Sequence, residues 1–251
     1  MKISIITVTY NRAHIIRDCI EGVLKQTFKN YEYIIVDGAS KDNTIEILKE
    51  YEPRFEGRMR WISEPDKGLY DAINKGIKIS TGDIVGIINS DDFFHRNDVF
   101  DIISQSFENS DVDAVYGDDR VVSGNNLYKE LRVTRANYFR TWMYRIGLMP
   151  GHQTFYVKRN LFEKYGFYKT NYKIAADFEL MLRFVYVNKI KTKYIPEILM
   201  TFRMGGISTQ FSNKLLVNKE TVRACKENGL FCCKAMVWLK YIWKLNRFKL
   251  K

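Results

Sequence analysis

Proline is scarce in this chain. There are four in 251 residues, scattered, with no Pro- or Gly-rich stretch that would mark a linker. No internal repeat or low-complexity segment divides it. Cysteine is as sparse. Cys19, Cys225, Cys232 and Cys233 include no C-x-x-C pair, which excludes a disulfide framework and a thiolate zinc site and suits a reducing cytoplasm. No apolar run reaches the roughly 18 residues of a membrane span. The run from Ile3 to Tyr10 is too short, and too abruptly ended by Asn11-Arg12, to read as an export signal. Two phosphate-binding signatures are missing: neither G-x-G-x-x-G after the first strand nor G-x-x-x-x-G-K-[ST] occurs, so a phosphate would have to be held by other means.

What is present is an ordinary globular composition, 46% apolar, carrying an unusual charge of +11. The charge is unevenly placed. From Asn213 to Lys251 ten Lys and Arg stand against two Glu, a charge of +8, which leaves only +3 for the other 212 residues. The body is nearly balanced and the basic character belongs to the C-terminus.

Apolar, β-branched runs predict strands at Ile3–Tyr10, Tyr31–Val36 and Ile84–Ile88, with a shorter one at Arg60–Ile62. Between them, Ile15, Ile16, Cys19, Ile20, Val23 and Leu24 repeat at helical spacing. So do Ile45, Ile47 and Leu48 behind an Asn43 cap, and Ala72, Ile73, Gly76 and Ile77. This alternation predicts βαβ units, a parallel doubly wound sheet and right-handed crossovers. The strand ends Tyr10-Asn11, Asp37 and Asn89–Asp92 should then share the carboxyl rim, where open α/β sheets bind ligands. Beyond Asp92 the pattern becomes mixed α+β. A helix is expected over Val99–Phe107, and short strands at Ala114–Tyr116, Arg120–Val122, Leu127–Val133 and Gln153–Val157. A further helix should begin near Ala175-Ala176-Asp177.

The segment Asn89-Ser90-Asp91-Asp92 offers hard oxygen ligands to a divalent cation that could bridge phosphate oxygens. Together with Ile6-Thr7-Val8-Thr9-Tyr10-Asn11-Arg12, Ile35-Val36-Asp37-Gly38-Ala39-Ser40, Asp66-Lys67-Gly68-Leu69-Tyr70-Asp71-Ala72 with Asn74-Lys75-Gly76, and Thr81-Gly82-Asp83, it makes five ordered blocks. A weaker sixth is Ala176-Asp177-Phe178-Glu179-Leu180. These blocks resemble the family 2 glycosyltransferases, over residues 1 to about 205. The style, including Pro150-Gly151-His152-Gln153-Thr154, is closest to enzymes of bacterial exopolysaccharide, lipopolysaccharide O-antigen and colanic acid assembly.

The resemblance implies a GT-A fold, a doubly wound mixed sheet with a C-terminal helical extension. Residues 1–212 would be the transferase domain, 1–92 its nucleotide half and 93–212 its acceptor half, and residues 213–251 a basic amphipathic tail. It implies sugar transfer from a nucleotide sugar, with inversion, to a lipid-linked or oligosaccharide acceptor, using Mn2+ or Mg2+. By position, Thr9, Tyr10 and Asn11 would line the nucleotide pocket, Asp37 would bind the base, and Asp66 and Lys67 would flank the nucleotide or diphosphate. Asn89 and Asp91 would lie at the donor, Asp91 with Asp92 would hold the metal, and Asp177 would be the general base. His152 and Arg203 are candidates for acceptor or phosphate contact. Three positions depart from the family pattern: Asn89 for the first acid of D-x-D, Val8 for proline, and Ala176 for the acid before the base.

Structural alternatives stand beside these roles. Asp37 can simply terminate a strand, Asp177 can be a helix N-terminal acid, Glu179 is structural or an alternative base, and His152 can be a core or exposed residue. His14 and His95 read as surface residues. In the tail, Lys240, Lys244, Arg247 and Lys251 fall within about 60° at about 100° per residue, among Trp238, Leu239, Ile242, Trp243 and Leu245. That pattern suits a helix lying in an anionic membrane surface, peripheral to the inner face of the cell membrane. The alternative is a helix packed on the body or on a second copy in a homo-oligomer. Nucleic acid is not the expected partner, because the basic residues are interleaved with bulky aliphatics. Two other classes remain as alternatives to the transferase: a non-catalytic nucleotide- or sugar-binding module on the same fold, and a basic nucleic-acid-binding protein.

Overall fold

Buried apolar residues at every second position on two opposite faces determine where the strands lie. The computed structural model describes residues 1–124, 126–205 and 213–248, with side chains as far as Tyr241. Strands β1 (Ile3–Thr9) and β2 (Tyr31–Asp37) are buried along their whole length. With β3 (Met59–Ser63) and β4 (Ile84–Asn89) they form a parallel set in the order β3-β2-β1-β4. Helices α1 (Ile16–Leu24), α2 (Thr44–Tyr51) and α3 (Leu69–Ile79) make the connections. Ile3 and Ile5 pack in one core with Cys19, Ile20 and Val23 of α1 and Ile47 and Leu48 of α2. Ile6 and Val8 pack in the other with Ala72, Ile73 and Ile77 of α3. Helices therefore cover both faces, as the alternation predicts.

The second half extends the same sheet. Strand β5 (Phe93–Phe94) and helix α4 (Val99–Glu108) precede the hairpin β6 (Ala114–Ser123) and β7 (Asn126–Thr134). Then come β8 (Tyr156–Lys158), α5 (Asn160–Tyr165), α6 (Ala176–Met181) with a π-helical continuation Leu182–Val187, and β9 (Thr192–Arg203). The sheet continues as β8-β6-β9-β5, with β7 beside β6. β8 is antiparallel to β4 and β6, whereas β9 runs parallel to β6. The architecture is a mixed α/β sheet. Gly86 in β4 is required by packing: a Cβ there would collide with the Tyr156 ring of β8.

Several sequence expectations are revised. Ala114–Tyr116 and Arg120–Val122 are one strand, because Asp118 is buried and bonded by the Ala136 amide, Arg135 and the Tyr194 hydroxyl, so its charge does not break the ladder. Gln153–Val157 is not a strand throughout: His152–Thr154 is a 3-10 turn and pairing begins at Tyr156. Asn43 sits at the start of α2 without a side-chain cap bond, and Asp42 accepts from the Thr44 amide instead. His95 is half-buried, with Nδ1 3.3 Å from Thr201 Oγ1.

The C-terminal segment comprises two helices, α7 (Lys214–Glu227) and α8 (Lys234–Phe248), packed on the body. Ala224, Cys225 and Leu230 belong to the main core, and Val237 is buried. The expected basic stripe does not face outward at its first member. Lys240 is 5% exposed, and Trp238 and Leu239 are the ones open to solvent. Among the described residues no helix is long and apolar enough to cross a membrane.

Glu32 ties the amino end of the sheet. It accepts from the Ser4 hydroxyl, the Thr81 and Gly82 amides and Arg60. Burial opposes its ionisation, but those donors outweigh burial and hold the carboxyl down to about 2. A depressed acid stabilises the fold above its unfolded pKa and loses that contribution as pH falls through the folded one. Glu32→Gln should therefore cost about 3 kcal/mol at neutral pH and flatten the stability change between pH 5 and 2. Urea titrations across that range would show it, and an unchanged acid limb would count against the network.

Candidate active site

The register of the parallel strands builds the rim. Thr9 stands opposite Asp37, Val8 opposite Asn89, and Asp37 opposite Ser63. The two turns after β1 and β2 are fastened together. Ser40 Oγ accepts from the Asn11 amide at 2.8 Å, Asn11 Oδ1 from the Lys41 amide at 2.8 Å, and Asp42 Oδ2 from the Ala13 amide at 3.0 Å. Asn11 and Ala39 both take left-handed backbone, at φ 52° and 61°. Asparagine tolerates that conformation; an alanine there is strained and marks a turn held by its surroundings.

The predicted nucleotide residues are gathered here, in unequal states. Tyr10 is exposed and lies against Gly38 together with Asp66; a Cβ on Gly38 would come within 2.6 Å of Asp66 Oδ2. Asp66 also accepts from the Gly68 amide, and Lys67 is exposed at the start of the same turn. Thr9 is buried and its hydroxyl has no partner among the described residues. Asp37 is fully buried and accepts from the Ser40 amide and hydroxyl and from Ser63 Oγ. A base could reach it only through oxygen lone pairs those donors leave.

At the end of β4 the acids separate into two roles. Asp92 is 5% exposed and accepts from Gln153 Nε2, Asn89 Nδ2 and the Arg203 amide. Burial, and Asp91 beside it, push its carboxyl up to about 7. Asp92 is a bracket between β4 and β9 and does not stand open to a cation as expected. Asp91 is half-exposed. Arg203 is engaged too: Nε donates to the Asp91 carbonyl and Nη2 to Asp18 at 2.6 Å, so its guanidinium ties the rim together and is not simply free for a diphosphate. Among the described residues no three His, Cys, Asp or Glu converge on a metal position. Among these acids Asp91 is the carboxylate that would hold a divalent cation, and such a cation would need further oxygens from a bound ligand.

The second acid centre lies across a short turn. Asp177 is in the first turn of α6, its side chain 16% exposed, with Oδ2 3.4 Å from His152 Nδ1 and Oδ1 accepting from the Phe178 amide. Burial raises its pKa, and His152 and the amide oppose the rise. A carboxylate shifted this way is a stronger base than an exposed one. The neighbour of His152 faces the other way: Gln153 Oε1 accepts from the Asn89 amide at 2.7 Å while its Nε2 holds Asp92. One dipeptide therefore touches both acid centres. Sequence reading missed Gln153; its only trace was its place in the Pro150–Thr154 block. Glu179 is fully buried in ion pairs with Arg183 and Lys169, which assigns it to structure. Cys19 is no nucleophile, since burial pushes its thiol up to about 12. Two clefts, one beside His95 and Arg135 and one beside Lys29 and Arg58, lie away from this rim.

The model of glycosyl transferase family 2 matches residues 4–174. The chain belongs to that family. Among curated relatives, this glycosyltransferase is 27% identical over 213 residues to a PGL/p-HBAD biosynthesis glycosyltransferase of Mycobacterium bovis, covering 84% of this chain and 80% of the relative. Among solved structures it resembles Staphylococcus aureus TarS 1-349 in complex with UDP-GlcNAc, with a TM-score of 0.71, 17% identity, and coverage of 89% of this chain and 66% of the other. It also resembles the mannosyltransferase PcManGT of Pyrobaculum calidifontis in complex with GDP-Man and Mn2+, with a TM-score of 0.68, 17% identity, and coverage of 90% and 63%. These likenesses establish the GT-A fold. The glycosyltransferase spans a little under two thirds of the chain length of the first TarS structure, 65%.

Two stability measurements separate bracket from base. Gln153→Leu leaves the Asn89 amide and Asp92 without a partner and should cost about 2–4 kcal/mol in urea unfolding. Asp177→Asn should keep or raise the melting temperature at neutral pH. An acid whose pKa is raised in the folded state destabilises the fold once pH exceeds its unfolded value, and the amide removes that penalty. A fall of several degrees would contradict the assignment.

Proposed function

We propose that this glycosyltransferase moves a sugar from a nucleotide-sugar donor, with inversion, to a hydroxyl of a lipid-linked glycan in bacterial surface polysaccharide synthesis. The observation that supports this most is the His152-Gln153 turn, in which His152 lies 3.4 Å from Asp177 and Gln153 accepts from the Asn89 amide at the end of β4. The nucleotide would lie along Thr9, Tyr10, Asn11, Asp37, Asp66 and Lys67. The acceptor hydroxyl would give its proton to Asp177 while its oxygen bonds to the anomeric carbon. The bond from that carbon to the diphosphate breaks, and its electron pair departs with the nucleoside diphosphate. Direct displacement by one base inverts the centre. A divalent cation, Mn2+ or Mg2+, at Asp91 would neutralise the leaving diphosphate. General-base help of this kind supplies about 100- to 10,000-fold in rate. The UDP-GlcNAc and GDP-Man bound by the structural neighbours support the donor class.

A membrane-facing position is part of the proposal. Trp238 of α8 and Trp142, on the 3-10 segment Thr141–Ile146 that α8 packs against, are 50% and 53% exposed, and Arg145 and Lys234 are exposed on the same elements, with exposed Arg140 just before the 3-10 segment. Exposed indoles beside basic residues suit the boundary of an anionic leaflet. A second reading, a nucleotide-binding module without catalysis, is favoured only by the lack of a three-ligand metal group among the described residues.

A thermal-shift panel of UDP-, GDP- and dTDP-sugars with and without Mn2+ should yield one stabilising donor, which the protein then hydrolyses slowly. Asp177→Asn should bind that donor and lose hydrolysis by at least about 100-fold; Asp91→Asn should lose the Mn2+ effect. Full activity in Asp177→Asn would refute the base. Binding without turnover in the wild type would favour the module. Replacing Trp142 and Trp238 by Ser should release the protein from phosphatidylglycerol vesicles in a flotation assay, and undiminished flotation would remove the membrane from the proposal.

A further inference from the structure

The C-terminal helix α7 lies beyond the family match, which ends at residue 174, yet it holds the loop that leads to Asp177. Glu220, 5% exposed, takes three consecutive main-chain amides. Its Oε1 accepts from Lys173 at 2.8 Å, and its Oε2 from Ile174 and Ala175 at 3.0 Å each. Helix α6 begins at the next residue and Asp177 is its second. The same helix holds the loop at earlier points. Glu227 accepts from Lys169 and from the Tyr172 hydroxyl at 2.9 Å, Arg223 donates to the Asn171 carbonyl, and the Arg223 guanidinium lies 3.8 Å from the Tyr172 ring centre. From the opposite side, Tyr70 of α3 donates to the Ile174 carbonyl.

Three amides converging on one carboxylate fix both the position and the orientation of a short segment, because each bond is charge-assisted and directional. A neutral amide side chain has a single oxygen and cannot reproduce the arrangement. We infer that Glu220 is a positioning residue for the base Asp177, so that α7 is part of the catalytic apparatus and not an appendage to it. This rests on the reading of Asp177 as base. The charge of Glu220 acts in the same direction as burial, raising the basicity of Asp177. The other ionisable groups facing Asp177 are His152, Tyr70 and Tyr168.

The test compares Glu220→Gln, Glu220→Asp and Asp177→Asn in the full chain. It measures donor affinity, hydrolysis of UDP-GlcNAc or GDP-mannose (whichever stabilises the wild type), the pH profile, and amide exchange over residues 173–175. Glu220→Gln should leave donor affinity within about twofold, lower the turnover number by about 10- to 100-fold, move the acid limb of the profile to lower pH, and speed exchange of the three amides. Glu220→Asp should recover part of the rate. Wild-type turnover and pH profile in Glu220→Gln, with Asp177→Asn inactive, would overturn the inference alone. Activity in Asp177→Asn would overturn the base reading and this inference with it. Failure of both Glu220 variants to fold would make the residue a stability element and overturn the positioning role.

Discussion

The structure depends on how its two halves are joined at the rim. β4 and β8 share only two register pairs, Ile84 with Lys158 and Val85 with Val157, both at the far end of β4 from the acids. Toward Asn89 no strand among the described residues continues that pairing. The Gln153 side chain takes over, offering an acceptor to the Asn89 amide and a donor to Asp92, and Asp92 in turn holds the Arg203 amide of β9. A side-chain amide can satisfy a donor and an acceptor at once, which suits it to a place where a ladder has ended.

Acids at this rim are kept at a cost in stability. Burial raises both Asp92 and Asp177, and each is offset in part by neighbours, Gln153 and the Arg203 amide for one and His152 for the other. Glu32 at the opposite end of the sheet shows the contrasting case, a buried carboxylate with enough donors to be held low. Strained backbone at Ala39 lies at this carboxyl end as well.

Much of the fold was legible because hydrophobic period and burial coincide. Ile3–Thr9, Tyr31–Asp37 and Ile84–Asn89 are continuous buried runs, and their register follows from them. Legibility failed where polar residues are buried. Gly117-Asp118-Asp119 reads as a break but lies inside β6, since Arg135, Ala136 and Tyr194 satisfy Asp118. β9 was missed because Pro196-Glu197 interrupts its apolar pattern. α7 has only a weak apolar face, and its contribution is made by Glu220, Arg223 and Glu227 through contacts with the loop 169–175.

The sequence by itself determined the family, the parallel half and the sharing of one rim by Thr9, Asp37 and Asn89, because strand ends in a βαβ series can lie nowhere else. Only the tertiary structure decided which acids stand open. Asp91 and Asp92 are adjacent and chemically identical in the sequence. One is half-exposed and the other is enclosed by Gln153 and the Arg203 amide, residues 61 and 111 positions away. The availability of a carboxylate depends on its local donors and burial, and those come from distant parts of the chain that no local pattern records.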